Sequence, residues 1–271
     1  MVGQSRFLEK IKYIIEQDKF PKSCIFYGPR GSGKKLLAVE TSKLLGYNIV
    51  QPENSKMETI KSTLELIHEI LEPTIYVIPN LDDAQFRVKY SLLKILEEQP
   101  NNAYFIITCT NLENLYSPIK SRCQIFTLDR YTPEDLKEYC LSFNLSEEEI
   151  LNVQDYCETP YDINLMLSYG IQEFKKYVEL VINNVYKVQE CNSFKTGSKL
   201  SFKKDSEGYD LELFFKVAAY LFFKNRDFEH NLNAVKITEK YLTDLSYPSI
   251  NKQMLFDMWI LDIREEFRNG C

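Results

Sequence analysis

In the first 128 residues, four short apolar runs alternate with helical patterns, and this alternation restricts the fold more than any other feature of the chain. The runs are Cys24-Ile25-Phe26-Tyr27, Thr74-Ile75-Tyr76-Val77-Ile78, Tyr104-Phe105-Ile106-Ile107 and Gln124-Ile125-Phe126-Thr127-Leu128. The first three are apolar nearly throughout, without the strict alternation of a half-exposed strand, so they predict strands buried on both faces. Between the runs, residues 5–16 place Phe7, Leu8, Ile11, Ile14 and Ile15 at helical spacing, and Leu36, Leu37, Val39, Leu44 and Leu45 mark a helix that stops at Gly46. Residues 56–71 predict a third helix closed by Pro73, and residues 86–98 a fourth ended by Gln99-Pro100. Strand and helix in alternation predict an α/β module with a parallel sheet covered on both faces.

After Leu128 the strand signal ends. Thr132-Pro133-Glu134-Asp135 starts a helix, with Thr as cap, Pro at the first position and acids at the positive end of the dipole. Ser146-Glu147-Glu148-Glu149 repeats this logic as a capping box. Short helices run to about Tyr169, with Gly170 as a break. A longer helix covers 171–187, a polar segment contains Gly197 and Gly208, and helices follow at about 209–224, 232–246 and 250–268. The expected organisation is an α/β module over 1–130, a small helical module over 131–169 and an all-α module over 170–271.

Charge divides along the same line. Residues 1–128 carry 16 lysines and arginines against 14 acids, whereas 129–271 carry 17 against 25, for a formal net charge of −6. The whole chain is therefore not a basic nucleic-acid binder, and an anionic ligand is expected on the N-terminal module. Seven cysteines without a CxxC pair argue against a zinc ribbon and a disulfide framework, and predict free thiols in a reducing compartment. No apolar stretch is long enough to span a bilayer, and Met1-Val2-Gly3-Gln4-Ser5-Arg6 does not read as a signal peptide. The expectation is a soluble cytoplasmic protein without membrane contact.

Gly28-Pro29-Arg30-Gly31-Ser32-Gly33-Lys34 fits G-x-x-x-x-G-K directly after a strand and at the start of a helix. There, backbone N–H groups and the helix N-terminus can wrap a phosphate chain, and Lys34 can reach the terminal phosphates. A Gly-rich turn without a ligand is the bland alternative. The next position, where a hydroxyl would bind Mg²⁺, is Lys35, and an ammonium cannot ligate a cation. The strand 74–78, which should end in acids for the metal and for the attacking water, ends in Pro79-Asn80 instead. Asp82 and Asp83 lie beyond it and read as helix-start or surface acids. Phosphate binding is expected to survive these changes; Mg²⁺ and metal-assisted hydrolysis are not expected.

Several stretches resemble one family, the AAA+ clamp-loader subunits of bacterial DNA polymerase III, in particular the delta-prime type. Tyr90-Ser91-Leu92-Leu93-Lys94-Ile95-Leu96-Glu97-Glu98-Gln99-Pro100 is similar to the family's N-x-L-L-K-x-L-E-E-P-P run. Phe105-Ile106-Ile107-Thr108-Cys109-Thr110-Asn111 is similar to its sensor 1 strand, and Ser121-Arg122-Cys123 matches its Ser-Arg-Cys motif. Val2-Gly3-Gln4 resembles the segment before the first helix. Phe202-Lys203-Lys204-Asp205 with Tyr209-Asp210, and Ile250-Asn251-Lys252-Gln253, resemble the collar.

The resemblance implies an AAA+ P-loop module, a helical lid over 131–169 and an oligomerising collar over 170–271. Arg122 would be an arginine finger directed at a nucleotide on the neighbouring subunit, the alternative being a surface Arg before a buried Cys. Thr110 would take the sensor 1 position, although a polar residue at a strand end needs no ligand to explain it. ATP or ADP would be the nucleotide held by Gly28–Lys34. The sensor 2 arginine is replaced by Tyr161 or Asp162, and the family's zinc-binding cysteines have no counterpart between Cys24 and Cys109. Partners would be the motor and delta subunits of a hetero-oligomer, primer–template DNA, and indirectly the sliding clamp.

These features favour a stator subunit of DNA polymerase III that hydrolyses ATP weakly or not at all. The alternative is an active P-loop ATPase, either a motor subunit or another P-loop enzyme such as a small-molecule kinase. Arg87 and Lys89 are candidate DNA contacts. Trp259, His68 and His230 read as packing and surface residues.

Overall fold

The computed structural model describes residues 2–52, 67, 71–187, 197–202, 207–224, 228–247 and 249–268. The helix expected over 56–71 falls almost wholly outside these residues, as do Lys203, Lys204, Asp205 and His68 and the side chain of His230. The chain divides into two compact units, Met1–Leu136 and Lys137–Cys271.

The first unit contains helices α1 (Ser5–Glu16), α2 (Lys34–Leu45), α3 (Phe86–Glu98) and α4 (Ser117–Lys120). Its strands are β1 (Ser23–Tyr27), β2 (Asn48–Val50), β3 (Thr74–Ile78), β4 (Ala103–Cys109) and β5 (Gln124–Thr127). They form one sheet in the order β2-β3-β4-β1-β5, and every pairing is parallel. β2 is an addition to the expected strands. It follows Gly46, whose φ of 68° ends α2, and three residues are too few to carry a periodic signal.

The continuous apolar runs have a direct cause, because helices cover both faces of the sheet. On one face Ile25, Tyr76, Ile78, Phe105 and Ile107 pack with Val88, Leu92 and Leu96 of α3 and with Leu115 and Ile119. On the other, Cys24, Phe26, Ile75, Val77, Ile106 and Phe126 meet Phe7 and Ile11 of α1 and Leu37 and Ala38 of α2. Phe7 stands edge-on to Phe26 at 5.0 Å and to Phe126 at 6.4 Å, the preferred geometry for aromatic pairs. Within this frame β4 lies between β1 and β3, so the turn after β1 and the ends of β3 and β4 share the carboxyl edge, where ligands of open α/β sheets bind.

Helix α5 (Pro133–Leu141) begins in the first unit and ends in the second. The second unit continues with α6 (Glu147–Tyr156), α7 (Pro160–Tyr169), α8 (Ile171–Lys187), α9 (Leu211–Lys224), α10 (Phe228–Asp244) and α11 (Lys252–Arg268). The expected capping box at Ser146–Glu149 opens α6, and a second, at Thr159–Asp162, opens α7. Trp259 is fully buried among Phe214, Phe215, Phe222 and Phe256, and its Nε1–H donates to Thr238 Oγ1 at 3.0 Å. The strand signal does not end at Leu128. A parallel two-residue ladder joins β6 (Leu200–Ser201) to β7 (Tyr209–Asp210). It depends on Gly208, which has φ of 137° and whose added Cβ would lie 2.8 Å from Lys199 O; so short a pairing has no periodicity to read.

Candidate functional site

The turn from β1 into α2 has the backbone its glycines predict. Gly31 and Gly33 have φ of 79° and 83°, the left-handed region that glycine enters without steric cost. Gly28 N–H donates to Cys109 O at 3.2 Å, fastening the loop to the end of β4. The Lys34 ammonium is buried and donates to Gly28 O and Pro29 O, both at 2.7 Å, so it sits over its own loop. Tyr131 OH donates to Ser32 O at 3.2 Å, while Gly3 presses on the Tyr131 ring so closely that an added Cβ would lie 2.4 Å away. Gln4 Nε2 donates to Asp129 O at 2.9 Å. Val2-Gly3-Gln4 is thus laid beside the phosphate-loop candidate. Gly28–Lys34, Tyr131 and this segment are brought together, and the buried Ser32 Oγ has no hydrogen-bond partner among the described residues. Lys35 is exposed.

The end of β3 carries no carboxylate. Pro79 is followed by Asn80 in the left-handed conformation, with φ of 46°, and Asn80 N–H donates to Thr108 Oγ1 at 2.9 Å. Asp82 is a helix-start acid, in the first turn of the short 3-10 helix Leu81–Asp83, but it corrects the expectation of a surface acid, because it is almost fully buried. Its Oδ2 accepts the N–H groups of Thr110 and Asn111, both at 2.9 Å, and the Thr110 hydroxyl. Asp82 Oδ1 is buried without a partner among the described residues. Asp83, its neighbour, is exposed. Thr110, the expected sensor, therefore commits its hydroxyl proton to Asp82. Nothing local in the sequence signals this contact, because the partners lie 28 and 29 positions apart.

Cys109 registers the same neighbourhood. Burial first, and then the Asp82 charge, push its thiol up to about 12, opposed by the Asn111 N–H and the Lys34 ammonium. Cys24 and Cys123 are likewise pushed up by burial. Five cysteines, Cys24, Cys109, Cys123, Cys140 and Cys157, are free and buried, in keeping with the expected thiols. Among the described residues no group of histidines, cysteines and acids is placed to hold a metal ion, and no helix is long and apolar enough to cross a membrane.

Replacing Asp82 with Ala should leave the part-buried N–H groups of Thr110 and Asn111 without this acceptor, at up to about 1–3 kcal/mol for each. Thermal unfolding of the variant should show that loss, and an unchanged midpoint would show that Asp82 does not hold the end of β4.

Arg122 lies just after α4, which Pro118 helps to start. Its Nη1 donates to Pro118 O at 2.9 Å, and its Nη2 pairs with Glu97 Oε1 of α3 at 2.7 Å. The two side chains are 37% and 49% exposed, so the guanidinium is held in one pose at the surface. Cys123 behind it is buried. The Lys89 ammonium donates to Asp82 O at 2.8 Å and Asn114 O at 2.9 Å.

In the second unit, Asp162 is structural. It closes the capping box of α7, accepts the N–H groups of Glu158 and Thr159, and meets Lys216 Nζ at 2.9 Å. Glu158 and Glu212 also approach Lys216, at 3.5 and 3.3 Å. Burial alone would lower the Lys216 pKa, but the three carboxylates outweigh it, Asp162 foremost, and hold it above its ordinary value.

Comparison with known proteins places this geometry. Residues 49–132 match the family model described as DNA polymerase III, delta subunit. DNA polymerase III subunit gamma of Buchnera aphidicola is 26% identical over 182 residues, covering 55% of this chain and 48% of that protein. Replication factor C subunit 4 of Encephalitozoon cuniculi is 24% identical over 140 residues, covering 48% and 45%. DNA polymerase III subunit gamma/tau of Mycoplasma genitalium is 23% identical over 242 residues, covering 75% and 40%. The chain thus spans less than half the length of these relatives. Among solved structures, a DNA polymerase III gamma subunit-related protein of Thermotoga maritima superposes with a TM-score of 0.50 at 13% identity, over 96% of this chain and 99% of that one. A RuvB of the same organism superposes at 0.51 and 18% identity, over 95% and 88%. The structural likenesses show a shared α/β fold, and residues 49–132 are similar to the DNA polymerase III delta-subunit model within a chain that is similar over a longer stretch to the gamma, gamma/tau and replication factor C subunits.

Proposed function

We propose that the chain is a stator subunit, of the delta-prime type, in a DNA polymerase III clamp-loader complex. It supplies Arg122 in trans to a nucleotide on a neighbouring subunit and hydrolyses little or no ATP itself. The observation that carries this reading is the end of β3, where Pro79 and Asn80 replace a carboxylate pair and Asn80 is turned onto Thr108. The nearest acid, Asp82, spends one oxygen on Thr110 and Asn111. With an exposed Lys35 in place of a hydroxyl and no carboxylate at the end of β3, the residues present do not fit a Mg²⁺ ion.

The loop is still suited to an anion. Gly28, Pro29, Arg30, Gly31, Ser32, Gly33 and Lys34 would cradle the phosphates of ATP or ADP, with Lys34 leaving the carbonyls of Gly28 and Pro29 to reach them. Thr110 would not probe the nucleotide by donation, since its proton goes to Asp82. Residues 131–169 would act as a lid and 170–271 as the collar that joins the motor and delta subunits, in a ring that loads a sliding clamp onto primer–template DNA.

A steady-state assay of the isolated chain with Mg²⁺ and ATP tests the reading. Turnover at the level of a Lys34→Ala variant is expected. Robust turnover that Lys34→Ala abolishes would establish an active P-loop ATPase, whether a motor subunit or another P-loop enzyme.

A further inference from the structure

Arg122 already has partners within its own chain. Nη1 reaches back to Pro118 O in α4 at 2.9 Å, and Nη2 meets Glu97 Oε1, at the end of α3, at 2.7 Å. The carboxylate is the partner that matters electrically. A guanidinium 2.7 Å from a carboxylate presents little net positive field to a third group, because the two charges nearly cancel at distances longer than their separation. An arginine finger works through uncompensated positive charge on a transferring phosphoryl group. The pose is therefore a parked one, and engagement requires Arg122 to exchange Glu97 for a phosphate.

Helix stability does not account for the glutamate. Glu97 and Glu98 are the last two residues of α3, whose last turn holds no basic residue, and the negative end of the helix dipole disfavours acids there. Glu98 has Lys94, one turn earlier, at 3.8 Å. Glu97 instead reaches out of its helix to the cation that follows α4. The exchange is also feasible. The two side chains are part-exposed, and pairs of that kind are weak, so a phosphate bearing more charge can take the guanidinium over. A fully buried pair would resist it.

We infer that Glu97 is a latch on Arg122, a positioning residue that holds the guanidinium against its own subunit until a phosphate of the neighbouring nucleotide displaces it. Glu97 takes this role only if Arg122 is the finger proposed above. While that phosphate stands off, the latch keeps the finger neutralised. Once Arg122 crosses, the carboxylate is left in solvent, which its exposure permits. The latch thus acts on the unstimulated rate, before the finger has been drawn over.

ATP hydrolysis by the reconstituted complex, with and without primer–template DNA, tests this for wild type, Glu97→Gln, Arg122→Ala and the double variant. Glu97→Gln should raise the DNA-free kcat by about 2- to 5-fold, the range set by part-exposed ion pairs, and should retain the DNA-stimulated rate. In the Arg122→Ala background the same substitution should change neither rate, as required of a residue that acts through another. Thermal midpoints of the isolated chains should agree. If Arg122→Ala leaves hydrolysis unchanged, the finger and the latch fall together. If Arg122→Ala collapses the stimulated rate, the finger stands, and three results overturn the latch alone. These are a DNA-free rate of Glu97→Gln equal to wild type, a gain that persists in the double variant, and a fall in both rates, which would make Glu97 a buttress that aims the finger.

Discussion

Arg122→Ala should slow ATP hydrolysis at the one neighbouring site it serves by about 10³-fold or more, the range measured for arginine fingers, while this chain stays folded. A guanidinium supplied from outside stabilises charge on the transferring phosphoryl group only in the transition state, so its loss falls on the rate. The fold should barely respond. The ion pair with Glu97 is part-exposed at both ends, and such pairs contribute about 0–1 kcal/mol. Glu97→Gln makes the control, because it releases the guanidinium without removing it. DNA-stimulated single-turnover hydrolysis by a reconstituted complex should collapse with Arg122→Ala and persist with Glu97→Gln. Equal rates for wild type and Arg122→Ala would assign Arg122 to the surface.

Lys216→Met should destabilise the second unit by about 3–5 kcal/mol, the cost of removing one partner from a buried ion pair. Lys216 is 11% exposed and Asp162 5%, so the carboxylate left behind has neither a cation nor full solvent. Its remaining bonds are the N–H groups that start α7, and the loss should therefore spread into that helix. The pH dependence has a definite sign. A lysine whose folded pKa is raised stabilises fully below its unfolded value of 10.5, and the contribution fades as pH rises through the higher folded value. The urea midpoint of wild type minus that of Lys216→Met should thus stay constant through neutral pH and shrink only in strong alkali. Lys216→Met combined with Asp162→Asn should recover part of the loss, since the unpaired charge is gone. A midpoint unmoved by Lys216→Met would show the cluster to be solvated.

How far the sequence could be read depended on the distance over which each feature is decided. The strands 24–27, 74–78 and 104–107 were legible because burial on both faces turns each into an uninterrupted apolar run. The Gly28–Lys34 turn was legible because left-handed Gly31 and Gly33 are required by neighbours in the chain. The three-residue β2 and the two-residue ladder at Leu200 and Tyr209 were not, because neither is long enough to show a period. The burial of Asp82 was not legible for a different reason. An acid soon after a strand has the same local appearance whether it caps a short helix or lies buried under the next strand.

By itself the sequence determined the α/β alternation, the phosphate-loop turn, the loss of the β3 acids and the placing of the helix caps. All of these follow from constraints on backbone and side chain acting within a few residues. Only the tertiary structure decided what each charge meets: Asp82 the neutral donors of Thr110 and Asn111, Arg122 the carboxylate of Glu97, Asp162 the ammonium of Lys216. It alone gathered Phe86, Tyr90 and Tyr116 into one exposed aromatic cluster. Coulomb attraction and hydrogen bonding act through space at a few ångströms, and chain folding, not chain order, sets those distances.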